Sequence, residues 1–234
     1  VMPHPVTRAG VCLPDRQKWN FPNEATIVLP MADFRSSATR KNLTASIEIC
    51  RRAATPQRPI LLMIKALQAP SDELESLDHV RSEYLDLRFL TEPIDDANIQ
   101  SLLASVDVLL SPHRSEGFGL ALAEALLAGT PALATGWSGN MQFMEGLPDL
   151  LIDHQLVRVQ DKTGIYRAGD LCWAEPDITD AATKLQRLAE SSALRTTLAT
   201  HGAAAVRALG DAWSREQLRE SLGGLASMDR TSIG

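Results

Sequence analysis

The chain has 234 residues, of which 44% are hydrophobic and 22% charged, with a formal net charge of −6 at pH 7. This is the composition of a globular protein with one large or two small domains, and its negative charge argues against general nucleic-acid binding, which draws on a basic surface. Three cysteines, Cys12, Cys50 and Cys172, lack C-x-x-C spacing and read as reduced thiols rather than a disulfide or zinc framework, and no apolar run reaches the about 18 residues of a membrane span.

The chain opens with a proline-bearing extended piece, Met2-Pro3-His4-Pro5-Val6, and no signal-peptide pattern. Residues 1–24 are expected to form a linker, 25–210 a domain, and 211–234 a terminal helix and tail. Thr26 to Met31 reads as a strand, although Pro30 is awkward inside a sheet. Arg35, Arg40 and Lys41 follow it, three cations within seven residues. Leu43, Ile47, Cys50 and Ala54 share a helical face, with Asn42 as N-cap. Ile60 to Ile64 is a continuous apolar run, as in a strand buried on both sides. Ser71 caps the next helix, with Asp72 and Glu73 in its first turn and Leu74, Leu77 and Tyr84 on its apolar face. Leu87 to Leu90 is a strand, Asp95-Asp96 caps a helix marked by Ile99, Leu102 and Leu103, and Val106 to Leu110 is a strand again. Gly117 and Gly119 make a tight loop before a helix beginning near Leu120. Ser138-Gly139-Asn140 forms a small-residue turn that caps a helix or lines a pocket. Ile178 to Leu209 is helical in pattern, and Ser214 to Leu222 forms a last helix.

Strands alternating with helices of this length predict an α/β fold, a Rossmann-like doubly wound parallel sheet with helices on both faces. Ligands of such sheets bind beyond the carboxyl ends of the strands, where the strand order switches. The groups around Arg35 and Glu116 both follow strands.

Glu116 and Glu124 stand in an otherwise apolar run from Ser111 to Gly136. Carboxylates are costly in such surroundings without a partner. The loop opens onto a helix N-terminus, whose free N–H groups and dipole attract anions, and glycines admit close approach to the main chain. Carboxylates repel phosphate but accept hydrogen bonds from sugar hydroxyls, so the mixture suits a ligand carrying both, as nucleotide-sugars do. The bland reading makes Glu124 a solvated helix position and Glu116 a loop charge; the apolar residues around Glu124 weigh against it.

The run E-G-F-G-L-x-x-x-E, with glutamates eight positions apart, resembles the E-x7-E signature of retaining glycosyltransferases of the GT-B architecture, family 4 or group 1. Asp33-Phe34-Arg35-Ser36 with Arg40-Lys41-Asn42 resembles the D-x-x-S…R-K-N segment of its bacterial polysaccharide-building subgroup. Thr135-Gly136-Trp137-Ser138-Gly139-Asn140 and Trp173-Ala174-Glu175-Pro176-Asp177 follow the same subgroup.

The resemblance implies the C-terminal, donor-binding domain of such an enzyme. Glu116, Lys41 and Arg35 would then be catalytic, Glu116 on hydroxyls of the donor sugar and the cations on the departing diphosphate. Glu124 would take ribose hydroxyls, and the main-chain amides of Gly117, Phe118, Gly119 and Leu120 would face sugar and phosphates, with Arg40 nearby. The base would rest at Leu90 and Thr91, read by backbone.

No metal or further cofactor is implied beyond the nucleotide-sugar donor, for which GDP-linked mannose or rhamnose fits the subgroup better than UDP sugars. The acceptor, a saccharide or a lipid-linked one, would be held by an N-terminal domain, and the fragment alone would bind nucleotide without turnover. The expected location is cytoplasmic, peripheral at the inner membrane face. A non-catalytic nucleotide-sugar-binding scaffold of the same fold is the alternative. Other motifs are accidental: Lys162-Thr163-Gly164 lacks an S-x-x-K companion, Leu122 occupies the third glycine of a dinucleotide fingerprint, and His113 reads as a packing residue rather than a metal ligand.

Overall fold

Apolar runs become the strands of one parallel sheet in the computed structural model, which describes residues 6, 13–36, 38–78, 80–160, 166 and 170–211. The first half of the chain holds β1 (Thr26–Leu29), β2 (Met31–Asp33), α1 (Ala38–Lys41), α2 (Leu43–Ala53), β3 (Ile60–Leu67), α3 (Ser71–Asp78), β4 (Leu85–Leu90), α4 (Asp96–Ser105) and β5 (Val108–Ser111). The second half holds α5 (Leu120–Ala128), β6 (Ala132–Thr135), α6 (Met141–Met144), β7 (Leu151–Ile152), β8 (His154–Arg158), β9 (Cys172–Pro176), α7 (Ile178–Glu190) and α8 (Ser192–Asp211).

Seven described strands, β1 to β7, form the sheet. β1 pairs with Ile60–Leu62 of β3 and β2 with Lys65–Leu67 of the same strand, so the two are one line of backbone interrupted at Pro30. The expected single strand from Thr26 to Met31 is therefore corrected to two. Proline has no N–H for the ladder, while its carbonyl still accepts from the Lys65 amide at 3.0 Å. With β4 on the other side of β3, the lateral order is β4, β3, β1/β2, β5, β6, β7. Counting β1/β2 as one strand, this is the doubly wound order 3-2-1-4-5-6. β1 is fully buried, as are Ile60 to Ala66 of β3, and the helices surround the sheet.

Some local predictions fail. Tyr84 lies outside α3, which ends at Asp78. Asn42 precedes α2 in a left-handed conformation, φ 56°, without capping it through its side chain. The helical stretch after Ile178 divides at Ser191, whose extended backbone separates α7 from α8. β8 and β9 form a separate antiparallel pair with no sequence-based counterpart. Asp95 does cap α4, accepting from the Asn98 amide. The predicted helix from Ser214 to Leu222 lies outside the described residues. No helix among the described residues is long and apolar enough to cross a membrane.

Asp107, just before β5, ties three distant parts of the chain together. Its Oδ2 accepts from Arg16 Nη1 at 3.0 Å and from the Ile27 amide at 2.8 Å, and its Oδ1 lies 3.1 Å from Arg195 Nη2 on α8. Phe21, in the same early segment as Arg16, is buried in the core. Asp107→Ala is expected to remove about 2 kcal/mol of stability, as loss of hydrogen bonds to a charged group does. A lowered urea midpoint with unchanged slope would show this, and Asp107→Asn should recover part of it.

Candidate functional site

The strand order reverses between β1 and β5, and the segments leaving β2 and β5 meet beyond that point. Three consecutive residues reach across. Arg40 Nη1 donates to the Ser115 carbonyl at 2.7 Å, Lys41 Nζ to Glu116 Oε2 at 2.5 Å, and Asn42 Nδ2 to the Pro112 carbonyl at 3.1 Å. The last bond replaces the predicted N-cap: the left-handed turn at Asn42 sends its amide away from α2 and toward the facing loop.

Arg114 binds in the opposite direction. Its main-chain amide donates to the Arg40 carbonyl at 2.9 Å, and its Nη1 to the Thr39 carbonyl at 2.7 Å. Nε and Nη2 make a bidentate pair with Glu175 of β9, at 2.6 and 2.9 Å, and the guanidinium lies 5.4 Å from the Trp173 ring centre. Segments 39–42 and 112–116 are thus zipped together, with β9 bracing the seam.

Glu116 is only 15% exposed, and Arg40 Nη1 lies 3.4 Å from the oxygen that Lys41 holds. Burial pushes its carboxyl up, but Lys41, through its charge and hydrogen bond, and then Arg40 outweigh burial and hold it below its ordinary value. Glu116 is therefore a carboxylate paired with a cation.

His113 beside it is fully buried. Its Nε2 lies 3.2 Å from both the Trp137 carbonyl and Asn140 Oδ1, so the proton sits there, and Nδ1 accepts from Ser111 Oγ at 3.0 Å. Burial holds it below the ordinary histidine value. It is a neutral support for the loop, in line with the packing role expected of it.

The turn at Ser138-Gly139-Asn140 does more than cap a helix. Ser138 Oγ donates to the Glu116 carbonyl at 2.9 Å and accepts from the Glu116 amide at 2.8 Å, and the Gly139 amide donates to the same carbonyl at 3.0 Å. A Cβ on Gly139 would lie 1.9 Å from the Gly117 carbonyl oxygen, so only glycine fits. Gly119 enters α5 at φ +91°, without a side-chain cap, leaving first-turn amides for another partner. Gly117 is different: a Cβ there would meet nothing within 4 Å, so the fold does not demand its smallness. Its amide turns to Glu116 Oε1 at 3.2 Å. The Phe118 ring packs inward on Phe143, with centres 5.3 Å apart, and Leu120 is 44% exposed at the helix entrance.

Glu124, about one turn into α5, is half-buried. Among the described residues it has no hydrogen-bond or ion-pair partner. Burial, and then the charge of Asp96, push its carboxyl above the ordinary value.

A cavity of about 140 Å³ is lined by Lys41, Glu116, Ser111, Gly119 and Leu120. A wider cleft of about 740 Å³, between α2, α3 and the Arg114–Glu175 pair, contains neither Glu116 nor Lys41. Of the three predicted cations, Arg40 and Lys41 come to Glu116 and Arg35 does not. The Arg35 guanidinium is 72% exposed and paired with Asp33 at 2.6 Å. Leu90 and Thr91 stand at the carboxyl end of β4, two strands from β1. Arg114, Ser138 and Asn140 were not singled out as organisers of the loop. Lys65, a lone charge in the apolar run of β3, was missed although its pattern is the same one that drew attention to Glu124.

The sequence from residue 5 to 211 matches the model of the family described as "Family 4 Glycosyltransferase in conflict systems". The chain belongs to this glycosyltransferase family. No curated protein is matched by its sequence. Its fold is that of WaaG, a glycosyltransferase involved in lipopolysaccharide biosynthesis, with a TM-score of 0.60 and 22% identity over 82% of the chain and 45% of WaaG. Sucrose-phosphate synthase from Thermosynechococcus elongatus gives 0.63 at 21% identity, over 93% of the chain and 49% of the synthase. The chain spans about half the length of these two proteins. By contrast it covers 95% of the crystallised C-terminal domain of LpcC, a group 1 glycosyl transferase from Francisella tularensis, with a TM-score of 0.57 and 20% identity over 85% of this chain.

Gly139→Ala is expected to lower stability by about 1–3 kcal/mol through forced displacement of the Gly117 carbonyl. Gly117→Ala should stay within about 0.5 kcal/mol of the parent. Parallel urea melts of the two variants check the contrast.

Proposed function

We propose that this domain binds a nucleotide-diphospho-sugar for retaining glycosyl transfer to a saccharide or lipid-linked acceptor of the cell surface. The observation that carries the reading is a carboxylate, Glu116, held against Lys41 and Arg40 beside the uncapped N-terminus of α5. A diphosphate gains negative charge as the sugar leaves, so cations fixed beforehand stabilise the transition state more than the bound donor. Phosphate entering next to Lys41 would compete for its ammonium and free Glu116 to accept hydrogen bonds from sugar hydroxyls. The configuration would be kept by front-face attack assisted by the departing phosphate. Amides and cations supply the charge compensation in this reading, without a divalent metal.

Glu124 suits the ribose. An unpaired, half-buried carboxyl gains from two vicinal hydroxyls that donate to it, and its place near Asp96 puts it toward the loop after β4, where the base would rest on Leu90 and Thr91. Arg35, exposed and paired with Asp33, is proposed to join the diphosphate only after leaving that carboxylate. The motif around Asp33 to Asn42 favours a cell-surface acceptor, of the kind implied by WaaG's involvement in lipopolysaccharide biosynthesis, and a location at the inner membrane face is proposed with it. Acceptor binding is assigned to a partner half of the kind that makes up the rest of WaaG's length. The domain alone is then expected to bind nucleotide without turnover.

Calorimetry against GDP, UDP, ADP and dTDP tests the reading, and failure of all four to bind overturns it. In the complete enzyme, Lys41→Ala is expected to lower turnover by about 10²-fold, as loss of one preorganised electrostatic donor does; unchanged turnover removes Lys41 from the mechanism. Glu124→Ala should weaken nucleotide binding. Because ribose hydroxyls donate to the ionised carboxylate, affinity should fall as pH drops through the raised Glu124 value. Glu124→Gln should flatten that pH dependence, as seen by calorimetry across the acid range.

A further inference from the structure

Lys65 lies near the carboxyl end of β3 in the run Ile-Leu-Leu-Met-Ile-Lys-Ala-Leu, and only 3% of it is exposed. Its register partners are Met31 on β2 and Leu90 on β4. Among the described residues its ammonium has no hydrogen-bond or ion-pair partner. Asp33, the neighbouring carboxylate, is engaged by three hydrogen bonds from the Arg35 side chain. The stem is buried while the ammonium tip keeps some contact with water, and this partial burial lowers the lysine's pKa against the pull of Asp33. Methionine would fill the same strand position without any desolvated charge, and the sheet supplies no counter-charge that explains the lysine.

The side chain lines a cavity of about 180 Å³ whose other walls include Asp33, Lys41, Leu67 and Ala121. Met31, Lys41 and Ala121 also wall the cavity that holds Glu116 and the entrance of α5. The two spaces are therefore neighbours along one cleft, with Lys41 between Glu116 and Lys65. On its other side, β3 at Lys65 pairs with β4 at Leu90, where the base is placed in the proposed function.

We propose that Lys65 is a donor-binding residue that ion-pairs with the nucleoside-proximal phosphate, while Lys41 takes the distal phosphate that carries the sugar. The assignment rests on the nucleotide-sugar reading of the site and follows from the order of groups along the cleft: base segment, Lys65, Lys41, Glu116. A second cation neutralises a second phosphate charge, and it shares the diphosphate between two strands rather than leaving it to one loop.

The test uses this chain, the best-binding member of GDP, UDP, ADP and dTDP, and the corresponding monophosphate. Lys65→Met is expected to weaken the diphosphate and the monophosphate alike, by about tenfold or more, as loss of a charge-assisted bond does. Lys41→Met is expected to weaken the diphosphate and spare the monophosphate. Lys65→Met should also melt no lower than the parent, because a partly desolvated charge without a counter-charge has been removed. If that variant fails to fold, Lys65→Gln provides the same binding readout. Unchanged affinity for both nucleotides, or a loss confined to the diphosphate, overturns the role given to Lys65. Absence of nucleotide binding by the parent chain would instead overturn the functional reading beneath it.

Discussion

A carboxylate 2.5 Å from an ammonium, both largely out of water, is the contact around which this domain is arranged. Neither charge would be tolerated there alone. Their pairing requires two loops from opposite sides of the strand switch to be held in register, and the surrounding bonds do this: Arg40 and Asn42 to one loop, Arg114 to the other, Ser138 and Gly139 behind Glu116. Most of these bonds end on main-chain atoms. Long side chains therefore anchor on fixed backbone positions of the facing loop rather than on other mobile side chains.

The site contrasts satisfied and unsatisfied charge. Glu116 is paired and held below its ordinary pKa, whereas Glu124 and Lys65 are partly withdrawn from water and have no described partner. Structural ion pairs usually answer a buried charge with its opposite. Here an acid and a base remain without a described partner toward the carboxyl end of the parallel strands, near a helix entrance without a side-chain cap.

The elements readable from the sequence were those with local causes. The apolar run at Ile60 to Ile64, the start of α5 after Gly119, and the Asp95 cap all follow from neighbours a few positions away. The chain's most specific motif, Glu116 to Glu124, likewise sits on the loop and helix expected of it. Asn42 shows the opposite case: it stands where a cap belongs, yet its amide is claimed by Pro112, 70 positions along the chain. Arg35 was grouped with Arg40 and Lys41 by proximity, but the turn after Asp33 folds it back on that residue. Ser138 and Arg114 act through main-chain contacts that leave no periodic or compositional trace. Lys65 was hidden by the apolar run that makes its burial informative.

The Arg114–Glu175 brace has a consequence for the order of assembly. Glu175 lies 61 positions beyond Arg114 in the chain, whereas the loops it steadies are encoded much earlier. While the polypeptide is being synthesised, the sheet from β1 to β6 can form before β9 exists. Completion of the cleft is therefore deferred until the antiparallel ribbon has emerged and docked. A nascent chain stalled before that point would carry Glu116 and its loop without the brace that steadies them.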